Sequence, residues 1–442
     1  MINPCSSVAS RSLLFLNRSY YPDEEATGQL LTQLCEDLAA EFEVHVVAGQ
    51  PCVNPLGREY HRSGSRVHNG VTIHRVRNTR FNKSSSFGRL SNWLSYLGLS
   101  SLRLLFIQRP EVVITETDPP FLSVLGLLMK RAFGCKLVVY LQDIYPDIGI
   151  AIGRLRDGFA TRRLKNLFHR TYRAADRIVV LSEDMRSGLV ADGVQADKIV
   201  VIPNWIDCTR VHPVKRHNPF RERNGWSDKF VVMHSGNMGM SQGLDNVLSA
   251  AVLLRECIRV SSVPIRGLPE IVFALVGDGA ARAGLEQTAR EKNLTNVQFF
   301  DYQPNEHLAE SLSAADVHIL TQDPRTVRYL APSKLYGILA SGTPVIAIAP
   351  GDCCLARMIR DEQVGYVVEP DNPAALADQI QHCAASRDEL PPLAHRAREL
   401  ALARFDRSQS IRAFRDLLLS VFNPCSSVAS LESGVRSPES GG

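Results

Sequence analysis

Short apolar runs rich in β-branched residues alternate along the chain with longer segments whose apolar residues recur at helical spacing. In the first half these runs lie at residues 12–17, 43–49, 70–76, 111–117, 136–143, 177–182 and 198–204. A second series begins at 229–236 and continues at 270–279, 297–303, 317–322, 344–350 and 365–370. Strands that alternate with helices predict parallel sheets covered by helices on both faces. We therefore predict an α/β chain with two doubly wound domains.

The boundary between the two series is a polar, basic segment without a strand pattern, at residues 208–228. We predict that it is a linker between a first domain at 11–207 and a second at 229–405. Residues 423–442 are rich in Ser, Gly and Pro, which predicts a disordered tail. The octapeptide NPCSSVAS occurs at 3–10 and again at 423–430, but it has no helix or strand periodicity and predicts no structural repeat.

Composition narrows the class of protein. At 442 residues the chain is long enough for two cores. Its net charge of +4 is mild, which argues against a dedicated nucleic-acid binder and suits anionic small molecules or an anionic membrane. The ten cysteines form no CxxC pair, and no apolar run reaches membrane-spanning length. We expect reduced thiols in a cytoplasmic protein that is either soluble or peripheral on the inner face of the membrane.

The stretch between Arg80 and Arg109 has an amphipathic helical pattern. Apolar residues fall near one face of this helix: Leu90, Trp93, Leu94, Leu97, Leu104 and Leu105. Basic residues surround them: Lys83, Arg89, Arg103 and Arg109. Two interpretations stay open, a helix that packs on the sheet and a basic helix that rests on an anionic membrane surface.

In parallel sheets, ligands bind at the carboxyl ends of the strands, so the following loops are candidate sites. Gly28 opens the helix after the first strand, where a missing side chain lets a phosphate or sugar approach the backbone. The loop after residues 136–141 contains Asp143, Tyr145 and Asp147. Its carboxylates are candidates for binding an acceptor hydroxyl or taking its proton, and the alternative is that they are solvated loop acids.

The second domain opens with HSGNMGMSQGLDNVL, a strand, a glycine-rich turn and a helix. Backbone amides around Gly236, Asn237 and Gln242 are candidates for a phosphate cradle. The sequence fits neither a P-loop nor a strict dinucleotide fingerprint, which argues against a dehydrogenase.

The stretch APSKLYGILASGTPVIAIA, residues 331–349, gives the strongest signal. Ser333 and Lys334 stand where the helix begins, and Arg325 and Arg328 lie just upstream. A helix start with three nearby cations predicts an anion site, most economically for a diphosphate. Gly337, inside the second turn, costs about 1 kcal/mol of helix propensity, which close approach of a ligand would offset.

Together the segments YYPDEEATGQLLTQL, QDIYPDI, VIPNWID, HSGNMGMSQGLDNVL, FALVGDGAARAGLE, APSKLYGILASGTPVIA and GYVVEPDNPAALADQI resemble the family 4 retaining glycosyltransferases. The resemblance covers roughly residues 11–422. It is strongest to the subgroup that builds capsule, O-antigen and exopolysaccharide units, which includes fucosaminyltransferase-like members. It implies a GT-B fold, in which an acceptor-binding and a donor-binding Rossmann-like domain face a cleft and a last helix, 406–422, crosses back to the first domain.

The resemblance also implies roles for residues. It brings Gly28 near the donor diphosphate, Gly277 and residues 299–303 near the nucleotide base, and Ser333, Lys334 and Leu335 near the phosphates and sugar. Many relatives carry Arg and Lys where this chain has Asn237 and Gln242, Glu where it has Gly337, and His where it has Gln142. We therefore expect Lys334 and Arg328 to replace the missing cations, and Asp143 to orient the acceptor.

The resulting expectation is transfer of a sugar, with retention, from a nucleotide sugar to a polyprenyl-diphosphate-linked or saccharide acceptor. UDP is favoured through the resemblance alone, and no cofactor or divalent metal is expected. Two alternatives stay open: a nucleotide-sugar epimerase of the same fold, and a non-catalytic nucleotide-sugar binder.

Overall fold

The computed structural model describes residues 11–23, 26–51, 63–81, 86–215, 217–260 and 269–423. The predicted tail beyond Asn423 and both octapeptide copies except Asn423 itself lie outside the described residues. The strands are β1 (Ser12–Leu16), β2 (Glu43–Ala48), β3 (Gly64–His68), β4 (Val71–Arg75), β5 (Val112–Thr115), β6 (Lys136–Tyr140), β7 (Arg177–Val180), β8 (Ile199–Val201), β9 (Phe230–Ser235), β10 (Ile271–Val276), β11 (Val297–Phe300), β12 (Val317–Thr321), β13 (Val345–Ile348) and β14 (Gly365–Val368).

The helices are α1 (Ala26–Leu38), α2 (Ser86–Leu104), α3 (Leu122–Phe133), α4 (Asp147–Ala151), α5 (Phe159–Ala174), α6 (Glu183–Ala191), α7 (Pro219–Arg223), α8 (Asp245–Val260), α9 (Arg282–Glu291), α10 (Leu308–Ser313), α11 (Lys334–Ala340), α12 (Cys354–Asp361), α13 (Pro373–Ala385), α14 (Leu390–Leu400) and α15 (Arg407–Phe422). A π-helical turn, Ala401–Phe405, joins the last two. In the described part of the chain, no helix combines the length and apolarity needed to cross a membrane.

The first sheet has the order β3-β4-β2-β1-β5-β6-β7-β8. All its pairs are parallel except β3 with β4. Strand β3 has the sequence GSRVH, which lacks an apolar run, so the hydrophobic pattern did not predict it. It is held instead by antiparallel pairing with β4, from Gly64 opposite Arg75 to His68 opposite Val71.

The second sheet has the order β11-β10-β9-β12-β13-β14, and every pair is parallel. Its central strands are buried along their whole length, as expected where helices cover both faces. The prediction of two doubly wound, Rossmann-like domains is therefore confirmed.

Part of the predicted linker 208–228 is packed into the second domain. Helix α7 is capped by Asn218, whose side chain accepts from the Arg221 amide at 3.0 Å. Phe220 and Trp226 are buried in a cluster with strands β9 and β10, and the fully buried Arg221 pairs with Asp316 at 3.1 Å. A basic, polar sequence suggested an exposed connection here, but its arginine is an internal ion-pair partner.

The C-terminal helix packs against the first domain. Phe414 and Leu417 of α15 are buried in the core that the first sheet builds, and the Phe414 ring contacts Trp205 edge-on. Arg407, in the first turn of α15, pairs with Asp37 of α1 at 2.7 Å. Residues 407–422 thus complete the first domain although they follow the second in the chain.

The apolar residues of helix α2 do not lie on the single face that the sequence predicted. Trp93, Leu97 and Leu104 are turned toward the first domain. Leu90, Leu94 and Leu105 are exposed to solvent. The apolar residues of this segment therefore form two faces.

Candidate functional site

The carboxyl ends of the strands carry most of the candidate side chains. In the second domain three loops converge there: the loop after β9, the loop after β10, and the segment between β12 and α11. Helix α11 begins at Lys334, preceded by Ser333, which is exposed and makes no side-chain capping bond. Ligands of open α/β sheets bind at this edge.

Lys334 is the centre of a polar cluster. Its ammonium donates to the Asn237 carbonyl oxygen at 2.8 Å and to Gln242 Oε1 at 2.7 Å. Burial lowers the pKa of Lys334 to about 7. All these contacts are neutral acceptors, so within the described residues the cluster contains a desolvated cation without a carboxylate partner. Such a cation is stabilised when an anion binds beside it.

His234, at the end of β9, lies beneath this lysine. Its Nε2 atom is 3.3 Å from Lys334 Nζ, and the residue is buried. Burial, and secondarily the charge of Lys334, lower the pKa of His234 well below its usual value. The imidazole is therefore neutral at physiological pH, and it accepts from the ammonium instead of competing with it for an anion.

Two glycines make this close packing possible. Gly236 has a φ of +128°, and a Cβ there would lie 2.6 Å from Lys334 Cε. Gly277 has a φ of +135°, and its Cβ would lie 2.1 Å from the Gly236 carbonyl oxygen. A side chain at either position would separate the loops after β9 and β10 or displace the lysine.

The structure does not join the two upstream arginines to this cluster. Arg325 is exposed and pairs with Asp323 at 2.6 Å. Arg328 lies against Gly188 of α6, in the other domain. The expectation of three cations around one anion is therefore not met in this conformation, because the two arginines have other contacts.

Leu335 and Gly337 follow Lys334 in α11, and they differ in burial, because Leu335 is buried and Gly337 is half-buried. Leu335 is buried within the second domain, and a Cβ at Gly337 would lie 3.3 Å from Leu312 Cδ1 of α10. A methyl group at Gly337 would require only the tip of the Leu312 side chain to shift, so close approach of a ligand stays the prediction for this glycine.

Asp143 lies where the two domains meet. It forms a backbone bridge with Leu330, and the next amide, from Ile144, donates to the Tyr329 carbonyl at 2.9 Å. Burial, and then the nearby charge of Asp118, raise the pKa of Asp143 to about 6. The structure therefore holds this carboxyl beside the segment that leads into Lys334, with a proton affinity suited to acid–base work near neutral pH.

The other candidates of this loop have structural partners. The Tyr145 ring contacts Trp93 of α2 edge-on at 6.3 Å between centroids. Asp147 is buried, and its Oδ1 accepts from Lys165 Nζ at 2.7 Å. Gln142 exchanges amide hydrogen bonds with Asn204, one of them 2.9 Å long. The position of the Asp147 carboxylate in particular is explained by its ion pair with Lys165.

Gly28 packs against the loop that follows β1. A Cβ there would lie 2.6 Å from Ser19 Oγ, and the Gly28 carbonyl accepts from Thr32 Oγ1 at 2.7 Å. Helix α1 is thereby held close to this loop, which is sufficient reason for a glycine.

Three charged residues at the same edge were missed from the sequence. Arg18 pairs with Asp118 at 2.6 Å, and Glu116 is buried, where desolvation raises its pKa well above the usual value. The signal was available, because ETDPP directly follows the buried strand β5. Across the described ranges, no group of three or more His, Cys, Asp or Glu side chains is arranged to hold a metal ion.

Comparison with known proteins defines the class. Residues 26–205 match the family model described as "Glycosyl transferase 4-like domain", and residues 217–401 match "Glycosyl transferases group 1". The chain is 30% identical over 275 residues to the "Probable glycosyltransferase WbjE" of Pseudomonas aeruginosa, which covers 62% of this chain and 66% of that protein. It is 27% identical to the "Putative colanic acid biosynthesis glycosyl transferase WcaI" of Escherichia coli, over 91% of this chain and 98% of that protein.

Solved structures share the fold. Sucrose-phosphate synthase from Thermosynechococcus elongatus superposes with a TM-score of 0.71 at 18% identity, over 94% of this chain and 100% of that one. Anabaena Alr3699/HepE in complex with UDP gives a TM-score of 0.68 at 17% identity, over 92% and 100%. Two Rossmann-like domains of this arrangement define the GT-B class. The chain belongs to the family 4-like glycosyltransferases of that class, and it is a glycosyltransferase.

Proposed function

We propose that the chain transfers a sugar from a UDP-sugar, with retention of anomeric configuration, to a lipid-linked or saccharide acceptor during synthesis of a bacterial surface polysaccharide. The polysaccharide context is supported by the relative whose name includes colanic acid biosynthesis. UDP is supported by a protein of the same fold that was solved in complex with UDP-glucose. We place the reaction in the cytoplasm or at the inner face of the membrane, where nucleotide sugars would be available.

One observation carries this proposal: the ammonium of Lys334, with its pKa lowered to about 7, contacts only neutral acceptors at the carboxyl edge of the second sheet. A diphosphate beside it would supply the missing negative charge. The ammonium also lies against Asn237 and Gln242, the two positions where the family resemblance leads us to expect cations. Lys334 would thus place a positive charge at that loop from a different element of the chain.

In the proposed mechanism the bond between the sugar C1 and the diphosphate oxygen breaks while Lys334 stabilises the charge that develops on the leaving group. The acceptor oxygen then bonds to C1 from the same face. Its proton passes to an oxygen of the departing phosphate. Asp143 orients the acceptor hydroxyl, and its pKa of about 6 leaves it ionised at neutral pH. No divalent metal is needed in this scheme.

The experiment that tests the proposal is thermal unfolding of the full chain with UDP, GDP, TDP or CDP, followed by transfer assays. A ligand at about 100 times its Kd stabilises the native state by about 2.7 kcal/mol. We expect UDP to raise Tm and the other nucleotides to have smaller effects. Incubation of UDP-sugars with candidate saccharide acceptors, followed by NMR of the new anomeric centre, then tests transfer and retention.

The outcomes separate the alternatives. Acceptor-dependent product with the donor's anomeric configuration supports the proposal, and an inverted product contradicts retention. Formation of an altered sugar without any acceptor favours an epimerase. Stabilisation by a nucleotide without conversion of any nucleotide sugar favours a binding protein. No stabilisation by any nucleotide removes the proposed donor site.

A further inference from the structure

The outer face of α2 is an apolar surface that no described element of the fold covers. The inner face is accounted for, because Tyr96 is fully buried and donates from its hydroxyl to the Val47 carbonyl at 2.7 Å. Residues on the opposite side repeat at spacings that keep them together on a helix. Their exposed fractions are 77% for Phe87, 47% for Leu90, 57% for Leu94, 55% for Leu102 and 69% for Leu105. A helix that only had to pack on the sheet would carry polar residues there.

This apolar surface extends along the whole of α2, from Phe87 to Leu105. The 19 residues of α2 span about 28 Å. On the opposite, inner side of α2, Trp93 contacts Tyr145, in the loop that contains Asp143. Just beyond the C-terminal end of α2, Phe106 is exposed, and Leu105 lines a cavity of about 130 Å³ together with Gln108 and Arg109. Helix α2 therefore contacts the Asp143 loop on its inner side and presents an apolar surface on its outer side.

The charge of the surrounding chain identifies the partner. Residues 60–110 contain nine Lys and Arg and no Asp or Glu. Because the whole chain has a net charge of +4, all other residues together carry a net charge of −5. Among the cations of this segment, Arg77 and Arg109 are exposed. A second copy of the chain would bring the same positive charge to the contact, whereas an anionic lipid surface would attract it.

We propose that the outer face of α2 docks on a bilayer that contains anionic lipid, with the helix axis in the plane of the interface. Its apolar residues enter the boundary between head groups and acyl chains, and exposed cations of the segment, such as Arg77 and Arg109, lie among the head groups. This inference deepens the proposed function, because it presents the Asp143 loop to an acceptor held in the membrane. Vesicle binding itself does not depend on the donor.

The test is flotation of the full chain with vesicles of phosphatidylcholine alone and with vesicles that also contain phosphatidylglycerol. We expect binding to the second kind and its loss at high salt, because salt screens the attraction. The variant Phe87→Ser/Leu90→Ser/Leu94→Ser should bind more weakly by roughly tenfold for each side chain. Leu402→Ser is the matched control, because Leu402 is 46% exposed in the second domain, and it should bind like the wild type.

Three results would overturn the inference: no binding of the wild type to anionic vesicles, equal binding of the triple variant, or a dimer in sedimentation that the triple variant abolishes without any vesicle binding. Circular dichroism checks that the variants fold. UDP-induced stabilisation, measured in the same variants, separates this inference from the proposed function. Loss of vesicle binding with an unchanged UDP effect concerns the α2 face alone.

Discussion

Replacing Lys334 by methionine tests the site that carries the proposed function. Methionine keeps an apolar stem of similar length but removes the charge that lies beside Asn237 and Gln242. A hydrogen bond from a charged group to its partner contributes about 1.5 to 3 kcal/mol. Where Lys334 is protonated, we therefore expect the variant to bind UDP roughly 10- to 150-fold more weakly than the wild type.

The pH dependence of this difference follows from the pKa of Lys334. Burial lowers that pKa to about 7 in the free folded protein, so the ammonium loses its proton as the pH rises through this value. Above it, a diphosphate that needs the charged lysine has to bind together with a proton. Each pH unit costs about 1.4 kcal/mol, so two units above the pKa the advantage of the wild type falls by about 2.7 kcal/mol. That is close to the whole contribution of the lysine.

The assay is isothermal titration calorimetry with UDP at about pH 6, roughly one unit below the pKa of Lys334, and at about pH 9, roughly two units above it. The ratio of Kd values between variant and wild type cancels the titration of UDP itself. Lys292→Met, an exposed lysine at the end of α9, is the matched control and should leave Kd unchanged. A ratio near one at the lower pH would show that Lys334 does not contact the nucleotide. A large ratio that stays constant with pH would show that its pKa is not lowered.

Other substitutions test the packing around the site. Asp143→Asn should abolish transfer yet raise the free energy of unfolding at pH 7 by up to about 3 kcal/mol in urea titrations. The reason is that the folded-state pKa of Asp143 is raised from 3.8 to about 6, so the ionised carboxylate destabilises the fold at pH 7, and this destabilisation is absent below about pH 4. Equal stability of the two proteins at pH 7 would contradict this. Gly277→Ala should lower the free energy of unfolding by more than about 1 kcal/mol and weaken UDP binding, because its methyl group would overlap the Gly236 carbonyl oxygen. The control is Gly284→Ala in α9, where the methyl group has open space, and it should raise the free energy of unfolding by about 0.5 to 1 kcal/mol. Arg221→Met should cost about 3 to 5 kcal/mol in the same titrations because it leaves a buried carboxylate unpaired, and a loss below 1 kcal/mol would argue against the ion pair.

The candidate site was predictable in outline but not in its contacts. The sequence indicated that Lys334 opens a helix after a strand, and the structure has α11 begin at that residue. It also suggested that Arg325 and Arg328 would join the lysine. In the structure Arg325 pairs with Asp323, two residues earlier, and the stem of Arg328 lies beside Gly188 of the other domain. Local sequence does not determine which way a flexible side chain turns, because its partner can lie far away in the chain.

Burial explains the remaining differences. Asp147 and Glu116 both follow buried strands. The Asp147 carboxylate pairs with Lys165, whereas burial raises the pKa of Glu116 well above its usual value. Neither outcome can be derived from the spacing of residues along the chain.

By itself the sequence determined the order of the strands and helices apart from the antiparallel strand β3, the two doubly wound domains and the loops in which chemistry belongs, because apolar periodicity and turn residues act over a few positions. Only the tertiary structure decided which loops meet. Lys334 reaches a carbonyl 97 residues earlier, and Asp143 bridges to Leu330 in the other domain. The pKa values of both groups follow from that meeting, since desolvation depends on every atom that surrounds a charge and not on its neighbours in the chain.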